Sequence, residues 1–163
     1  MISFGPVELV PTEEKHLVAL WKILSEWPRF WEDRGKVTDY WEFHDWFYEK
    51  IKNSLTGLDN GEVVGFGFLD QIYPGYYATI GIVKKKGYLN PKMIAAIAKD
   101  GLHPLFEKHD LEKIVGIVRE DHKASIRLLK KVGFKITGRL RHHAKINGEW
   151  KDYIWSEILR EEL

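Results

Sequence analysis

Four lysines within nine residues are the first side chains here that could do chemistry: Lys84, Lys85, Lys86 and Lys92, in the stretch KKKGYLNPK at residues 84–92. An apolar run with strand character precedes the stretch and an apolar run with helix character follows it. A strand-to-helix loop of this kind is a common seat for phosphate, because the helix start offers unpaired N–H groups and the positive end of the helix dipole. The lysines add charge, yet Gly87 is the stretch's lone glycine, and phosphate loops repeat glycine so that bare backbone approaches the anion. Two outcomes stay open: an altered polyanion site, or a solvated charged turn.

Other clusters carry less. His142 and His143 are neighbours on an expected strand, where side chains alternate between faces, which argues against a joint metal site. The chain has no cysteine, which removes thiol nucleophiles, thiolate metal sites and disulfides. Lys130 and Lys131, with the basic residues from Arg139 to Lys145, lack interleaved aromatics to stack on bases, and the formal net charge is only +1. Both facts argue against nucleic acid as a partner. Aromatic residues are concentrated between Trp27 and Tyr48, including Trp31, Trp41 and Trp46. Most of these are expected in a core, since aromatics bury large areas, with some left to line a pocket.

The elements that position these groups follow from pattern. Residues 7–11 read as a strand ended by proline, and Thr12 as the cap of a helix with an apolar face of Leu17, Leu20, Trp21 and Leu24. A second helix is expected from about Asp39 to Asn53. Asn60-Gly61 marks a tight hairpin turn leading into EVVGFGFLDQI, and YATIGIV enters the lysine loop as a further strand. Asn90 and Pro91 suit the cap and first turn of a helix that Gly101 and Pro104 should break. Strand, short helix to Gly133, strand, an Asn147-Gly148 turn and a last strand complete a β-α-α-β-β-β-α-β-α-β-β order. This is an α+β class with a mixed, mostly antiparallel sheet of about six to seven strands flanked by about four helices. At 163 residues, with no linker or repeat, one domain over residues 1–163 is expected. No leader-like or membrane-spanning pattern is seen, so a cytoplasmic protein with no membrane partner is expected.

Residues 118–159 resemble the C-terminal half of the GNAT N-acetyltransferases, and within them the ribosomal-protein N-terminal acetyltransferases, the RimJ/RimL-like branch. The resemblance rests on His122, Ser125, the run Arg127-Leu128-Leu129-Lys130-Lys131, Gly133-Phe134, Gly138, and Gly148-Glu149-Trp150-Lys151-Asp152. The order of elements agrees over almost the whole chain.

What the resemblance implies is an acetyl-coenzyme A site. Residues 81–83, with Ile82 and Val83, would face the pantetheine, and the loop with Lys84, Asn90, Lys92 and Met93 would hold the diphosphate. His122, where the family carries asparagine, and Ser125 would complete the coenzyme contacts, with Ser125 also the catalytic candidate at the sulfur. Leu129 stands where many members have a tyrosine acid. The family's loop pattern of Gln or Arg, then Gly, then Gly or Ala aligns with Leu89, Lys92 and Ile94, so this loop is degenerate. Trp27, Trp31 and Glu32, with Asp33, fall where the acceptor groove would lie.

The implied reaction is direct attack of a primary amine, on a small molecule or a protein N-terminus, at the thioester. The amine must first lose a proton at neutral pH, and Asp70, Glu120 and Glu157 are candidate carboxylates. The alternative is a chain of this fold that has lost coenzyme A binding and serves binding or assembly. A homodimer or another protein partner is compatible with either.

Overall fold

The computed structural model describes residues 6–32, 37–88 and 90–163, with Lys99 described by its backbone alone. Asp33 and Leu89, named above, lie outside the described residues. The strands are β1 Val7–Pro11, β2 Ser54–Asp59, β3 Glu62–Tyr73, β4 Tyr77–Lys84, β5 Lys113–Arg119, β6 Lys135–Ile146 and β7 Glu149–Leu159. The helices are α1 Leu17–Ser25, α2 Tyr40–Tyr48, α3 Pro91–Ala96, α4 Leu102–His109 and α5 Lys123–Val132. The strands follow the order β1-β2-β3-β4-β5-β7-β6. β4 pairs in parallel with β5, whereas β1–β2, β2–β3, β5–β7 and β6–β7 are antiparallel. The mixed, mostly antiparallel α+β class expected from the sequence is therefore observed.

Two local expectations are corrected and a third, the helix break, is observed. Thr12 caps no helix: its buried hydroxyl bonds Ser54 Oγ and Thr56 Oγ1, each at 2.8 Å, and ties the end of β1 to β2. A 3-10 turn from Glu14 to His16 precedes α1 instead. α2 ends at Tyr48, short of Asn53, with a separate 3-10 turn at Ile51–Asn53; Asp39 caps its start by accepting from Glu42 N–H. The expected helix break gives two helices in place of one, joined by a wide turn at Ile97–Gly101. Pro104 then sits in the first turn of α4, directly after the wide turn.

The chain divides into two compact units, residues 1–69 with 81–96, and residues 70–80 with 97–163. The first unit is built on an aromatic core. Leu17, Leu20, Ile23 and Leu24 of α1 and Phe43 and Phe47 of α2 bury against Phe66 and Phe68 of β3 and Val83 of β4. Phe47 meets Phe66 edge-on at 5.4 Å and Phe43 stacks on Phe47 at 5.5 Å, arrangements that the ring quadrupoles favour. Trp27, Phe30, Trp31 and Trp46 are half-buried against this cluster, while Trp41 and Tyr48 are exposed. Glycine lets β3 and β4 approach closely. A Cβ on Gly65 would lie 2.6 Å from the Val83 carbonyl oxygen.

In the second unit, β5 runs in register with β7 from Lys113↔Leu159 to Arg119↔Tyr153. Ile114, Val115, Ile154 and Ile158 of these strands are buried, as are Leu129 and Val132 of α5. β4 enters this unit through Tyr77–Thr79, which pairs with Lys113–Val115. The edge strand β6 is interrupted by two register shifts and is largely exposed and basic, features that discourage edge-to-edge pairing.

Two outcomes are expected in urea unfolding. Gly65→Ala forces backbone apart and destabilises by about 1–3 kcal/mol. His16 is buried, its Nδ1 accepts from Glu13 N–H at 3.0 Å, and burial holds its pKa below the usual value. Its contribution is fully present above the unfolded-state pKa near 6.5 and lost as pH falls through the lowered folded value. His16→Gln should therefore shrink the loss of stability between neutral and mildly acidic pH; an unchanged pH profile would contradict this.

Candidate functional site

The lysine loop belongs to the first unit, and its shape follows from hydrogen bonds it makes with itself and with β2. Lys85 N–H donates to the Val64 carbonyl at 2.7 Å, continuing the strand geometry of β4 by one residue. Tyr88 N–H then donates to the Lys85 carbonyl at 3.0 Å, and Gly87 has φ of 78°. That is a tight turn with glycine at the position needing positive φ. A Cβ there would meet no protein atom within 4 Å, so it is the positive φ of the turn, and no packing against the chain, that calls for glycine.

The start of α3 is filled from within. Pro91 has no N–H; Lys92 N–H donates to Asn90 Oδ1 at 3.0 Å, and Met93 N–H to the Asn90 carbonyl at 3.0 Å. Asn90 is thus the cap expected from the sequence, and it is buried. Its Nδ2 donates to Asp59 Oδ2 at 2.9 Å, the oxygen that also accepts from Tyr88 O–H at 2.7 Å. These two hydrogen bonds, from Asn90 first and Tyr88 second, hold the Asp59 carboxyl below its ordinary pKa. Burial and the carboxylate push the Tyr88 phenol well above its own. Asp59 is therefore a fixed anion beside the helix start at neutral pH.

Two of the lysines are hydrogen-bonded within the chain. Lys84 Nζ donates to the Tyr88 carbonyl at 2.9 Å, and Lys85 Nζ to Glu62 Oε1 at 2.8 Å, which raises the Lys85 pKa. Lys86 Nζ lies 5.9 Å from the Trp27 ring centroid. An open cleft of ≈390 Å³ flanks the loop, and its lining sets Asp59 and Glu62 against Lys85 and Lys86. Its charge is balanced, which does not suit a polyanion. As it stands, the helix start does not fit a diphosphate: its donors are taken and an anion is already beside it.

Of the other candidates in this unit, Val83 and Met93 are buried, Val83 in the aromatic core and Met93 with its Cε 3.2 Å from where a Gly57 Cβ would sit. Ile82 is half-buried and Lys92 exposed. Trp27 Nε1–H donates to the Lys84 carbonyl at 2.7 Å, pinning the end of β4. Trp31 packs edge-on against Phe30 at 4.7 Å and Trp46 at 5.0 Å, and the neighbouring Glu32 is half-buried.

The second unit holds His122 and Ser125. His122 closes a turn with its N–H on the Arg119 carbonyl at 3.0 Å, and its own carbonyl accepts from Ile126 N–H at 3.1 Å to open α5. Ser125 is exposed in the first turn of that helix. Leu129, one turn on, is buried with its methyls 3.1 and 3.2 Å from where a Gly116 Cβ would sit. Among the carboxylates, Glu157 accepts from Lys113 Nζ at 2.8 Å and Trp155 Nε1 at 3.1 Å, which lowers its pKa and its strength as a base. Glu120 accepts from Arg139 at 3.0 Å. His142 stacks on Trp150, whereas His143 meets a different ring, Tyr153, at a tilt of 58°. Among the described residues, no group of three or more His, Asp or Glu is placed to hold a metal, and no helix is long and apolar enough to cross a membrane.

The model of the acetyltransferase (GNAT) domain family matches residues 48–155. The chain belongs to the GNAT acetyltransferase family. Its fold agrees with that of solved GNAT members. A GNAT-family acetyltransferase from Bacillus anthracis superposes with a TM-score of 0.78 at 18% identity, covering 98% of this chain and 100% of that one. Spermidine N-acetyltransferase from Vibrio cholerae, in complex with CoA and spermine, gives 0.77 at 17%, covering 96% of each. Mycobacterium smegmatis RimJ in complex with CoA-disulfide gives 0.74 at 22%, covering 98% of this chain and 84% of that one. At such identities the likeness is one of fold. No curated protein sequence matches the chain.

Sequence reasoning found Asn90 but missed Asp59 and Tyr88, the two residues that turn a cap into a lock. Asp59 reads as a hairpin residue, and it lies 29 positions from Tyr88 with no local signal joining them. The lock has a measurable consequence. Asn90→Ala should cost about 1 kcal/mol for the lost cap. Asn90→Asp, which keeps the capping oxygen but sets a carboxylate against Asp59, should cost at least as much. Equal stability of Asn90→Asp and the parent protein in urea would show that the Asp59 contact is unimportant.

Proposed function

We propose that this GNAT chain is an N-acetyltransferase that moves an acetyl group from acetyl-coenzyme A to a primary amine, on a small molecule or a protein N-terminus. The family match over residues 48–155 carries the reading. Solved neighbours in complex with CoA and spermine and with CoA-disulfide support the choice of coenzyme and amine. The amine nitrogen attacks the thioester carbonyl carbon, the carbon–sulfur bond breaks, and the N–H proton finally resides on the thiol. No covalent enzyme intermediate is needed.

Ser125 is the catalytic candidate. It is exposed at the start of α5, whereas Leu129, at the place of the tyrosine acid in many members, is a buried hydrocarbon with no proton to give. His122, at the opening of the same helix, is assigned to coenzyme positioning, together with Ile82, Val83, Lys84, Asn90, Lys92 and Met93 along β4, the loop and α3. Val83, Met93 and Asn90 are buried, and with the Met93 N–H bonded to the Asn90 carbonyl they act by shaping β4 and the start of α3. Trp27, Trp31 and Glu32 are assigned to the acceptor side, Trp27 by way of its hold on the Lys84 carbonyl. A like-branch resemblance to ribosomal-protein N-terminal acetyltransferases and a cytoplasmic setting are part of the proposal.

The experiment is a thiol-release assay with acetyl-coenzyme A and a panel of polyamines, amino-sugar amines and N-terminal peptides. Turnover with at least one class is expected, rising with pH toward the pKa of the amine. Ser125→Ala should lower kcat by about 100-fold with little change in KM for the amine. No turnover with any amine would overturn the reading; full activity in Ser125→Ala would remove Ser125 from it.

A further inference from the structure

We propose that this protein selects its acyl donor without the diphosphate of coenzyme A, so that acetyl thioesters of pantetheine lacking the nucleotide serve as well as acetyl-coenzyme A. The inference rests on the acetyltransferase reading above and adds the substrate class. Its basis is the way the start of α3 is already filled by the chain's own groups. The three N–H positions of the first turn are accounted for by Pro91, which has none, by Asn90 Oδ1 and by the Asn90 carbonyl. Two further donors that could have met phosphate, Tyr88 O–H and Asn90 Nδ2–H, converge on one oxygen of Asp59. Lys84 and Lys85 are turned to the Tyr88 carbonyl and to Glu62. An anion placed at this helix start would displace the capping oxygen and stand beside the Asp59 carboxylate, exchanging satisfied hydrogen bonds for like-charge repulsion.

The lone glycine agrees. Where backbone must approach phosphate, glycine is needed at the point of approach; Gly87 meets the positive φ of a turn, at 78°, and the first turn of α3, Pro91 to Ile94, has no glycine. Met93, at the third helical position, faces Gly57 inside the unit. The stretch is rich in lysine, but Lys84 donates to a backbone carbonyl, and Lys85, Tyr88 and Asn90 donate to the chain's own carboxylates.

The transfer remains balanced with the shorter donor. The acetyl group passes from the pantetheine sulfur to the amine nitrogen, the carbon–sulfur bond is replaced by a carbon–nitrogen bond, and one proton moves from the amine to the pantetheine thiol.

Two readouts on the intact wild-type protein test this. The first is calorimetric titration with the nucleotide half of coenzyme A alone, at low and moderate salt. No saturable binding up to about millimolar concentration is expected; micromolar binding would overturn the proposal whether or not the protein has been shown to turn over. The second compares kcat/KM for acetyl-coenzyme A and S-acetylpantetheine with one amine. A ratio below about tenfold is expected, whereas a diphosphate held by several charge-assisted donors would make it exceed about 100-fold, and any ratio above tenfold overturns the proposal. Failure of both donors with every amine would overturn the acetyltransferase reading instead, and the nucleotide titration would still decide whether the start of α3 accepts the diphosphate.

Discussion

A single carboxylate organises the candidate site. Asp59 closes β2, and its Oδ2 accepts from Tyr88 and Asn90, so one oxygen fixes both the loop after β4 and the cap of α3. The capping oxygen and the Nδ2 donor belong to the same buried amide. Holding the amide by one end therefore orients the other, and the helix start is defined by a residue 31 positions earlier. The negative charge that a helix N-terminus favours is supplied by the chain itself.

The aromatic core of the first unit sets the place where this happens. Phe66 and Phe68 of β3 and Val83 of β4 bury with α1 and α2. The small residues Gly65, Gly67 and Gly81 between them let backbone meet backbone and Phe68 meet Gly81. Trp27 then ties the helical side to the last carbonyl of β4. Much of the tryptophan excess is explained by packing: the rings form a wall of mutual edge-on contacts in which Trp31 and Trp46 are half-buried. Each fully buried ring, such as Phe43, Phe47 and Phe68, contributes about 1.5–3 kcal/mol relative to exposure, and the half-buried tryptophans contribute less.

The elements were legible where a local signal defines them. Asn60-Gly61 and Asn147-Gly148 adopt the positive φ that their hairpin turns require, and Gly101 and Pro104 mark the interruption between α3 and α4. Asn90 was legible as a cap because an Asn-Pro pair before an apolar run states it. Thr12 was misread because the same side chain that caps a helix also satisfies a strand neighbour; only the partners Ser54 and Thr56, more than 40 residues away, decide between them. The closed loop was illegible for the same reason. A run of lysines announces positive charge, but whether that charge is free depends on Glu62, Asp59 and the Tyr88 carbonyl, and pairing across such spans leaves no periodicity to read.

The central claim is that the Lys92 amide and the Asn90 side chain are already satisfied within the chain. Amide NMR spectra recorded while coenzyme A is added test it most directly. The account predicts that the Lys92 backbone amide exchanges slowly with solvent in the free protein and that neither it nor the Asn90 side-chain amide shifts on saturation. A fast-exchanging Lys92 amide that moves with ligand, together with release of the Asn90 side chain, would contradict it.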